Sequence, residues 1–369
     1  MIEQYLKEEN IVLNFRETEH EKRHIVTGQY AHVLKLDDKN CILYYQVQSI
    51  PESICCAISN DGGLTFKKPE NNYVLQNSLA CHNFKAFIDD NLNSKTKFKA
   101  IGGHHCSNNF PSHKDCNCKT YPVKECYNPV WPNKKRTFFI DDVSHPCQGN
   151  GYYIWESNDG LKWKVLSERP VFSSFSKMKE FDKLGYISAD GCPFMFYDDN
   201  ISEYVAYARV NIKLGVRHIS YSKSKDLLKW SEPELIKLNP EFNFNHDNLY
   251  YGGIYKYPGE INKYVAFPSY FKNIIHNYET GEPRTYLDEC TLVMISNDGL
   301  NWKIKDKWFE GITTNPQWAG HMRAPHVLGF IESPDKEEFW LYIQKDFLTD
   351  HNKLYRYSIS KEDFDKIFN

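Results

Sequence analysis

Short apolar segments of four to seven residues recur along most of the chain, and polar turns separate them. Segments of this length, with alternating or continuous apolar character, are typical of β-strands. A 3.6-residue amphipathic pattern, as expected for a helix, is confined to the first dozen residues and the extreme C-terminus. The pattern therefore predicts an all-β chain, with strands that include residues 41–47, 204–209, 264–268 and 339–344.

A polar motif follows several of these predicted strands and repeats along the chain. Its copies span residues 59–66, 157–163, 224–230 and 296–302, and a degenerate fifth copy spans 360–364. Ser and Asp side chains can hydrogen-bond backbone amides within a turn, and Gly supplies the positive φ angle that many turns need. We therefore interpret each copy as a hairpin turn that a Trp or Phe closes. In this interpretation the aspartates of the motif are structural: Asp61, Asp159, Asp226 and Asp298.

The spacing of the motif predicts the architecture. The first serines of successive copies are 98, 67, 72 and 64 residues apart. The first gap is the longest because it contains a Cys-, His- and Pro-rich stretch, 104–134, which we interpret as an insertion. About four strands per repeat, repeated five times, predict a five-bladed β-propeller with four-stranded antiparallel blades and this insertion in its second blade. A β-sandwich with coincidental turns is the alternative. We expect one propeller domain at 25–369, which residues 1–24 close or flank.

Composition and charge restrict the classes of function. Apolar residues make up 41% of the 369 residues and charged residues 25%, which is typical of a soluble globular chain. The net charge of −3 argues against nucleic acid as a partner, and no apolar run approaches the ~20 residues that cross a bilayer. The N-terminus has no signal-peptide pattern, so we expect a cytoplasmic protein whose 11 cysteines are reduced by default. The oligomeric state stays open.

Candidate chemistry comes from acids, histidines and arginines that lie in apolar strand contexts upstream of each motif copy. In a propeller the innermost strand of each blade lines a central pocket, so side chains from distant parts of the chain converge there. Burial of a carboxylate among apolar neighbours is costly unless it is paired, and it raises the pKa of the acid. Paired carboxylates in a chain with 15% aromatic residues predict glycosidic-bond chemistry on a carbohydrate ligand.

Three strings of residues resemble a known family. They are 82–89 followed by 97–103, 190–198 followed by 203–209, and 249–250 with 257–258 and 266–269, which lead into the motif at 296–299. They resemble a largely uncharacterised group of glycoside hydrolases with a five-bladed propeller. This group is similar to the arabinanases, fructosidases and neoagarobiose hydrolases, and the resemblance covers residues 25–345. The turn at 59–66 also resembles the Asp-box of sialidases.

The resemblance implies roles for particular residues. Asp190 would be a catalytic carboxylate, as base, and Glu289 or the adjacent Asp288 the general acid. Asp89 would be a third carboxylate, which orients substrate or tunes a pKa. The residues that would bind substrate are His82, Asn83, Arg209, His246, Asp247, His321 and Arg323.

One departure favours a different class of function. Related glycosidases usually carry an Asp on the first strand of blade one, and residues 28–33 contain no acid. A non-catalytic glycan-binding or structural propeller is therefore the alternative. A propeller that binds protein partners, and a phosphorylase or transferase with a basic pocket for phosphate, are further alternatives.

The insertion is a candidate metal site. Cys106, Cys116, Cys118 and Cys126 lie close together in sequence with three histidines, and Zn²⁺ binds four such ligands tetrahedrally. Two disulfides, or reduced thiols, explain the same residues. No cofactor is required for the predicted hydrolysis; a structural zinc in 104–126 and a calcium ion in the central channel are the two metal predictions.

Overall fold

The computed structural model describes residues 3–24, 26–48, 53–76, 82–104, 125–127, 135–137, 151–167, 170–173, 186–187, 191–213, 216–250, 253–275, 284–310 and 324–368. Helices are short in this part of the chain: α1 (Glu19–Lys22), α2 (Lys361–Asp365) and the 3-10 turns Glu3–Tyr5 and Lys366–Phe368. None of them is long and apolar enough to cross a membrane. The all-β prediction is confirmed.

The strands, in chain order, are β1 (Lys7–Asn14), β2 (Thr27–Lys35), β3 (Cys41–Val47), β4 (Ser53–Ser59), β5 (Tyr73–Gln76), β6 (Lys85–Ile88), β7 (Phe98–His104), β8 (Glu125–Tyr127), β9 (Lys135–Thr137), β10 (Gly151–Ser157), β11 (Lys164–Val165), β12 (Phe172–Ser173), β13 (Tyr186–Ile187), β14 (Phe194–Asp198), β15 (Glu203–Lys213), β16 (Val216–Ser224), β17 (Glu234–Leu235), β18 (Lys237–Asn239), β19 (Asp247–Tyr250), β20 (Ile254–Lys256), β21 (Tyr264–Ala266), β22 (Ser269–Ile275), β23 (Arg284–Ser296), β24 (Asn301–Trp308), β25 (His326–Glu332), β26 (Glu338–Lys345) and β27 (Lys353–Ser360).

These strands form five large sheets, each built on a four-stranded antiparallel meander. They are sheet 1 (β2-β3-β4-β5), sheet 2 (β6-β7-β10-β11), sheet 3 (β14-β15-β16-β17), sheet 4 (β20-β21-β23-β24) and sheet 5 (β25-β26-β27-β1). Short strands extend three of them: β12 pairs with β10, β13 with β15, β18 with β24, and β19 with β22, which pairs with β23. A separate two-stranded sheet joins β8 and β9. A propeller with four-stranded antiparallel blades is confirmed.

The N-terminal residues form a strand and not a helix. Residues 7–14 pair antiparallel with β27, from Lys7 opposite Ser358 to Asn14 opposite Lys353. Val12 and Leu13 are buried, whereas the first five residues of β1 are exposed. The helical pattern in the first dozen residues was therefore misleading, because the open edge of β27 satisfies the backbone of this segment.

Four copies of the polar motif are tight turns between the third and fourth strands of sheets 1 to 4. In the second copy Ser157 Oγ accepts the amide of Gly160 at 3.0 Å, and Asp159 accepts the amide of Lys162 at 2.7 Å. The indole of Trp163 closes the turn by donating to the Gly160 carbonyl at 2.8 Å. Aspartates of the motif therefore serve the turn, as predicted.

The degenerate fifth copy begins a helix instead. Ser360 lies at the end of β27, and its hydroxyl accepts the amide of Asp363 at 3.1 Å as the N-cap of α2. This segment lacks the glycine that adopts positive φ in the second and fourth copies, at Gly160 and Gly299. The same serine therefore caps a helix where its counterparts close a turn.

Hydrogen bonds join each large sheet to the next and return from the fifth to the first. The donor is a tyrosine hydroxyl in every case, and the acceptor lies in the neighbouring sheet or in the helix that follows it. The pairs are Tyr44 to Gly160 O (2.7 Å), Tyr204 to Asp89 (3.0 Å), Tyr264 to Asp198 (2.6 Å), Tyr257 to Asp365, and Tyr342 to Gly63 O (2.9 Å). Apolar clusters fill the same interfaces, so the core lies between the sheets.

The predicted insertion lies largely outside the described residues. Of the predicted insertion, only residue 104 and β8 are described. The domain boundaries at 24 and 25 stay predictions, although β1 pairs with the last strand of sheet 5.

Candidate functional site

The first strands of the five large sheets surround one channel. A cavity in it is lined by residues of β2, β6, β14, β20 and β25. The channel has two different ends, since all five strands run in the same direction along it. We call them the start end, where these strands begin, and the far end, where they finish.

Two tyrosines from different sheets meet at the start end. The hydroxyls of Tyr30 in β2 and Tyr250 in β19 lie 3.3 Å apart, although 220 residues separate them. The pairing of β2 with β3 is irregular between Gln29 and His32, and Tyr30 has a φ of 52° within this irregularity. The His82 ring lies 5.8 Å from the ring of Tyr30.

Two arginines of sheet 3 lie over the same tyrosine ring. The guanidinium carbons of Arg209 and Arg217 are 5.4 Å and 5.5 Å from the ring centre of Tyr250. Arg209 Nε also donates to Asn211 Oδ1 at 3.0 Å, which orients its side chain. A guanidinium within about 6 Å of an aromatic ring is attracted to its face. Two cationic groups with planar hydrogen-bond donors are thus gathered at this end of the channel.

Gly191 allows Arg209 to lie against the backbone. A Cβ atom at position 191 would fall 2.7 Å from Arg209 Cβ. Because real Cβ atoms do not approach so closely, only glycine fits without displacement of the arginine. The glycine that follows Asp190 in the sequence is therefore explained by packing.

Sheet 4 completes the group with Phe271 and Tyr286. Their rings are 5.9 Å apart, and Phe271 is buried against Tyr30 and Tyr250. We call the whole set the aromatic–arginine cluster: Tyr30, His82, Arg209, Arg217, Tyr250, Phe271 and Tyr286. It draws on four of the five large sheets.

The two adjacent acids of β23 have different surroundings. In the pairing of β22 with β23, Tyr270 lies opposite Cys290 and Lys272 lies opposite Leu287. Asp288 and Glu289 are the extra residues between these pairs and therefore lie in a bulge. Asp288 has a φ of 53°, is half-exposed and forms an ion pair with Lys272. The hydrogen bond from Lys272 lowers the pKa of Asp288. Glu289 is partly buried.

Asp89 lies at the far end, away from the aromatic–arginine cluster. It follows β6, whereas His82 and Asn83 precede that strand. Its buried carboxylate accepts the hydroxyl of Tyr204 at 3.0 Å and lies 3.4 Å from the ammonium of Lys99. These contacts join sheets 2 and 3, so Asp89 has a structural role here and does not reach the cluster.

Three other predicted substrate ligands lie in local structure. Asn83 is fully buried, and its Oδ1 accepts the amide of Gly103 at 2.7 Å. Asp247 accepts the amide of Asn243 at 2.8 Å and the hydroxyl of Tyr270 at 3.0 Å, and His246 Nδ1 is 2.9 Å from the same carboxylate. Asp247 therefore closes the turn that precedes β19.

The remaining predicted residues are outside the described part of the chain. Asp190, His321, Arg323, Cys106, Cys116 and Cys118 belong to this group, and of Cys126 only its place in β8 is described. Within the described ranges no three His, Cys, Asp or Glu side chains are grouped to hold a metal ion. The zinc and calcium predictions stay untested.

Sequence reasoning missed most of the cluster. Tyr30, Arg217, Tyr250, Phe271 and Tyr286 were not among the predicted site residues, because an aromatic residue in a strand looks like ordinary core. One signal was present: Tyr30 lies in the segment of β2 where related enzymes carry an acid. The cluster combines guanidinium donors, tyrosine hydroxyls and apolar ring faces, which together suit a polyhydroxylated ring such as a sugar.

Comparison with known proteins supports the fold. No family model matches the sequence, and no curated protein matches it. The solved structure of an α-L-arabinofuranosidase from Fusarium graminearum in complex with an iminosugar inhibitor is similar, with a TM-score of 0.53 and 12% identity over 96% of this chain and 98% of that chain. An N-acetylgalactosamine deacetylase from F. plautii, in complex with blood group B trisaccharide, has a TM-score of 0.54 and 11% identity over 98% and 97%. At these identities the likeness shows the fold, which is the one that the sequence resemblance implied.

Proposed function

We propose that this protein is a glycoside hydrolase-like enzyme that cleaves a glycosidic bond at the start end of the channel. The observation that carries the proposal is the aromatic–arginine cluster, where four sheets place tyrosine, histidine and arginine side chains around one point. The resemblance of the sequence to propeller glycoside hydrolases, and the shared fold, support it.

The same proposal includes a five-bladed propeller, with one blade for each large sheet. Each of the five first strands contributes to the wall of one channel. The tyrosine hydrogen bonds between neighbouring sheets run through all five and back to the first. Carbohydrate would bind at the start end, against the partly exposed members of the aromatic–arginine cluster, His82, Arg209, Arg217 and Tyr286.

Glu289 is the better candidate for the general acid. A proton donor must be protonated at working pH, which requires a pKa above the ordinary value of a carboxyl group. Contact with Lys272 lowers the pKa of Asp288 and so favours its charged form. Glu289 is partly buried, in contrast to the exposed Asp288, and burial raises the pKa of a carboxyl group.

Asp190 is the proposed partner of Glu289. It precedes Gly191, which packs on Arg209 of the aromatic–arginine cluster. In glycoside hydrolysis one carboxylic acid protonates the leaving oxygen, and a carboxylate activates water or attacks the anomeric carbon. The arginines would orient sugar hydroxyls, since each guanidinium offers several donors in one plane.

A non-catalytic glycan-binding propeller is the second candidate. One observation favours it: Tyr30, and not a carboxylate, faces the cluster from β2. A site with aromatic and guanidinium groups but without a full set of acids would still bind a sugar.

Three variants test the enzyme proposal, with Asp288→Asn as the matched control for Glu289→Gln. The wild-type protein is assayed against a panel of aryl glycosides and oligosaccharides, together with Glu289→Gln, Asp288→Asn and Asp190→Asn. Loss of an acid–base group typically costs about 10²- to 10⁴-fold in rate. We expect that loss in Glu289→Gln and Asp190→Asn, whereas Asp288→Asn retains kcat within about threefold, since Asp288 is exposed and ion-paired.

Three outcomes are distinct. Turnover that survives in Glu289→Gln but not in Asp288→Asn would reverse the assignment of the acid. Glycan binding in every variant without turnover in any would establish the binding module. An absence of both binding and turnover across the panel would overturn the proposal.

A further inference from the structure

The channel contains a cavity that the proposed activity does not use. It occupies 390 Å³ and opens at the far end, where the first strands finish. Pockets for small molecules generally begin at about 300 Å³ and have mostly apolar walls. The walls here include Val33, Phe87, Phe194, Ile254 and Phe330. The cavity is therefore large enough for a small organic molecule.

A buried lysine lines this cavity, and no acid of the described ranges pairs with it. Lys85, the first residue of β6, is 3% exposed. Its ammonium donates to the carbonyl of Ala31 at 2.6 Å and lies 4.9 Å from the ring centre of Phe194. The nearby thiol of Cys192 partly opposes the effect of burial on the pKa of Lys85. Among the described residues no carboxylate lies within 4 Å of it, in contrast to the other channel lysines Lys35 and Lys256.

This arrangement is costly in the empty protein. Burial of an ammonium group away from water is unfavourable unless an anion accompanies it. Burial accordingly lowers the pKa of Lys85. An anionic group beside Lys85 would remove this cost, and it would also favour the protonated form of the lysine.

A second polar group that lines the same cavity could donate a further hydrogen bond. The hydroxyl of Tyr255 is buried, and within the described ranges it has no hydrogen-bond partner. Burial raises the pKa of Tyr255. Tyr255 and Lys85 both lie beside Phe194, whose ring centre is 5.9 Å from the ring of Tyr255 and 4.9 Å from the Lys85 ammonium. A phenol donor and an ammonium group thus face one region at the inner end of an apolar cavity.

The lysines at the mouth are already paired with carboxylates. Lys256 pairs with Asp90 at 3.0 Å and with Asp199 at 3.1 Å, and Lys35 pairs with Asp38 at 3.0 Å. These pairs contain two ammonium groups and three carboxylates, so the mouth does not attract an anion. The anion-binding group is deep, and the surface between it and the mouth is apolar.

We propose that the far-end cavity binds a small carboxylate with an apolar body, with Lys85 as its counter-ion and Tyr255 as a hydrogen-bond donor. The carboxylate would lie beside Cys192, and the apolar part would contact the aromatic walls. The inner end of this site borders the aromatic–arginine cluster, since Cys192 packs against Tyr30 and Tyr250, but the cavity itself extends towards the far end and needs no sugar.

A homologous series of ligands tests the proposal on the full-length protein. Acetate, butanoate and hexanoate are titrated by calorimetry at low ionic strength, with hexanamide as the neutral match of hexanoate. We expect affinity to rise roughly threefold to fourfold per buried methylene, which follows from the free energy of burying one CH₂ group. Hexanamide should bind at least about tenfold more weakly than hexanoate, since it lacks the charge that Lys85 recognises.

Three variants complete the test. Lys85→Met should lose at least about tenfold in hexanoate affinity and keep its hexanamide affinity, and without ligand it should unfold at a higher temperature. Tyr255→Phe, which leaves the charge of Lys85 in place, should lose roughly threefold to tenfold in hexanoate affinity. This variant tests the proposal if Lys85→Met does not fold. Lys256→Met at the mouth should bind as the wild type does. Equal affinity for hexanoate and hexanamide, no binding by the wild type, or full hexanoate affinity in Lys85→Met or Tyr255→Phe would overturn the proposal.

Discussion

The hydroxyl of Tyr204 on β15 donates a hydrogen bond of 3.0 Å to the buried carboxylate of Asp89, which follows the first strand of the preceding sheet. Asn91 accompanies the pair, since its amide nitrogen donates to Asp89 and its side chain to the tyrosine oxygen. Sheets 3 and 4 repeat this arrangement with Tyr264, Asp198 and Asn200. An acid that the sequence suggested for catalysis thus belongs to a repeated contact between sheets.

Tyr204→Phe should destabilise the fold without a loss of activity. The change removes a hydrogen bond to a buried charged group, which typically contributes about 2 kcal/mol to the free energy of unfolding. Urea denaturation measures this loss. Tyr197→Phe is the control, because Tyr197 contacts the ring of Tyr204 but its hydroxyl makes no hydrogen bond in the described part of the chain. A fall in kcat with an unchanged free energy of unfolding would instead indicate that Asp89 takes part in the reaction.

Gly160→Ala should cost more stability than Gly259→Ala. Both glycines have positive φ, 74° and 76°, so each substitution carries a left-handed backbone cost of about 1–2 kcal/mol. At Gly160 the new Cβ would also lie 2.8 Å from the Tyr44 hydroxyl that joins sheets 1 and 2, whereas at Gly259 nothing lies within 4 Å. We expect a loss of about 3 kcal/mol at Gly160 and about 1 kcal/mol at Gly259, measured by chemical denaturation. Equal losses would show that the contact with Tyr44 is unimportant.

Buried histidine makes the fold sensitive to acid. His218 is fully buried beside Phe242 and Phe244, and burial lowers its pKa to about 4. The unfolded chain takes up this proton near pH 6.5, but the folded chain does so only near pH 4. Stability is therefore unaffected above pH 6.5 and falls as the pH drops from 6.5 to 4, by about 3 kcal/mol.

The variant His218→Asn isolates this contribution. Asparagine retains a donor for the carbonyl of Ile219, which His218 Nδ1 contacts at 3.2 Å, but it does not titrate. The unfolding free energy of the variant should vary less with pH between 6.5 and 4 than that of the wild type. The same substitution at the exposed His351 is the control. Identical pH profiles for wild type and His218→Asn would contradict the prediction. His32, whose pKa burial also lowers, contributes to both profiles.

Arg209→Lys should weaken the binding of a sugar ligand. Lysine keeps the charge but loses the planar set of donors and the contact with the Tyr250 ring, so we expect a rise in KM or Kd of roughly tenfold. Arg356→Lys is the control, because Arg356 lies 4.4 Å from the ring centre of Trp340 in sheet 5, outside the aromatic–arginine cluster. Equal effects of both changes would indicate a general loss of stability. Calorimetry with the oligosaccharides that the wild type binds provides the measurement.

Adjacent residues show how far sequence reasoning reaches. The choice between Asp288 and Glu289 was open in the sequence, because alternation along a strand says that they face opposite sides but not which side is buried. The bulge opposite Phe271 and the ion pair with Lys272 place Asp288 at the surface. Asp89 and Asp190 looked alike in sequence, and only the course of β6 separates Asp89 from the start end.

The amino-acid sequence alone determined most of the strands, four of the repeated turns and the propeller, because these depend on local alternation, on Ser–Asp–Gly turn chemistry and on a regular spacing. It could not determine which side chains meet. Tyr30, Arg209, Arg217 and Tyr250 come together only when distant strands close around a channel. The isolation of Lys85 from any described acid likewise depends on how the sheets pack. Contacts between residues far apart in the chain follow from the packing of whole sheets, and no local pattern encodes them.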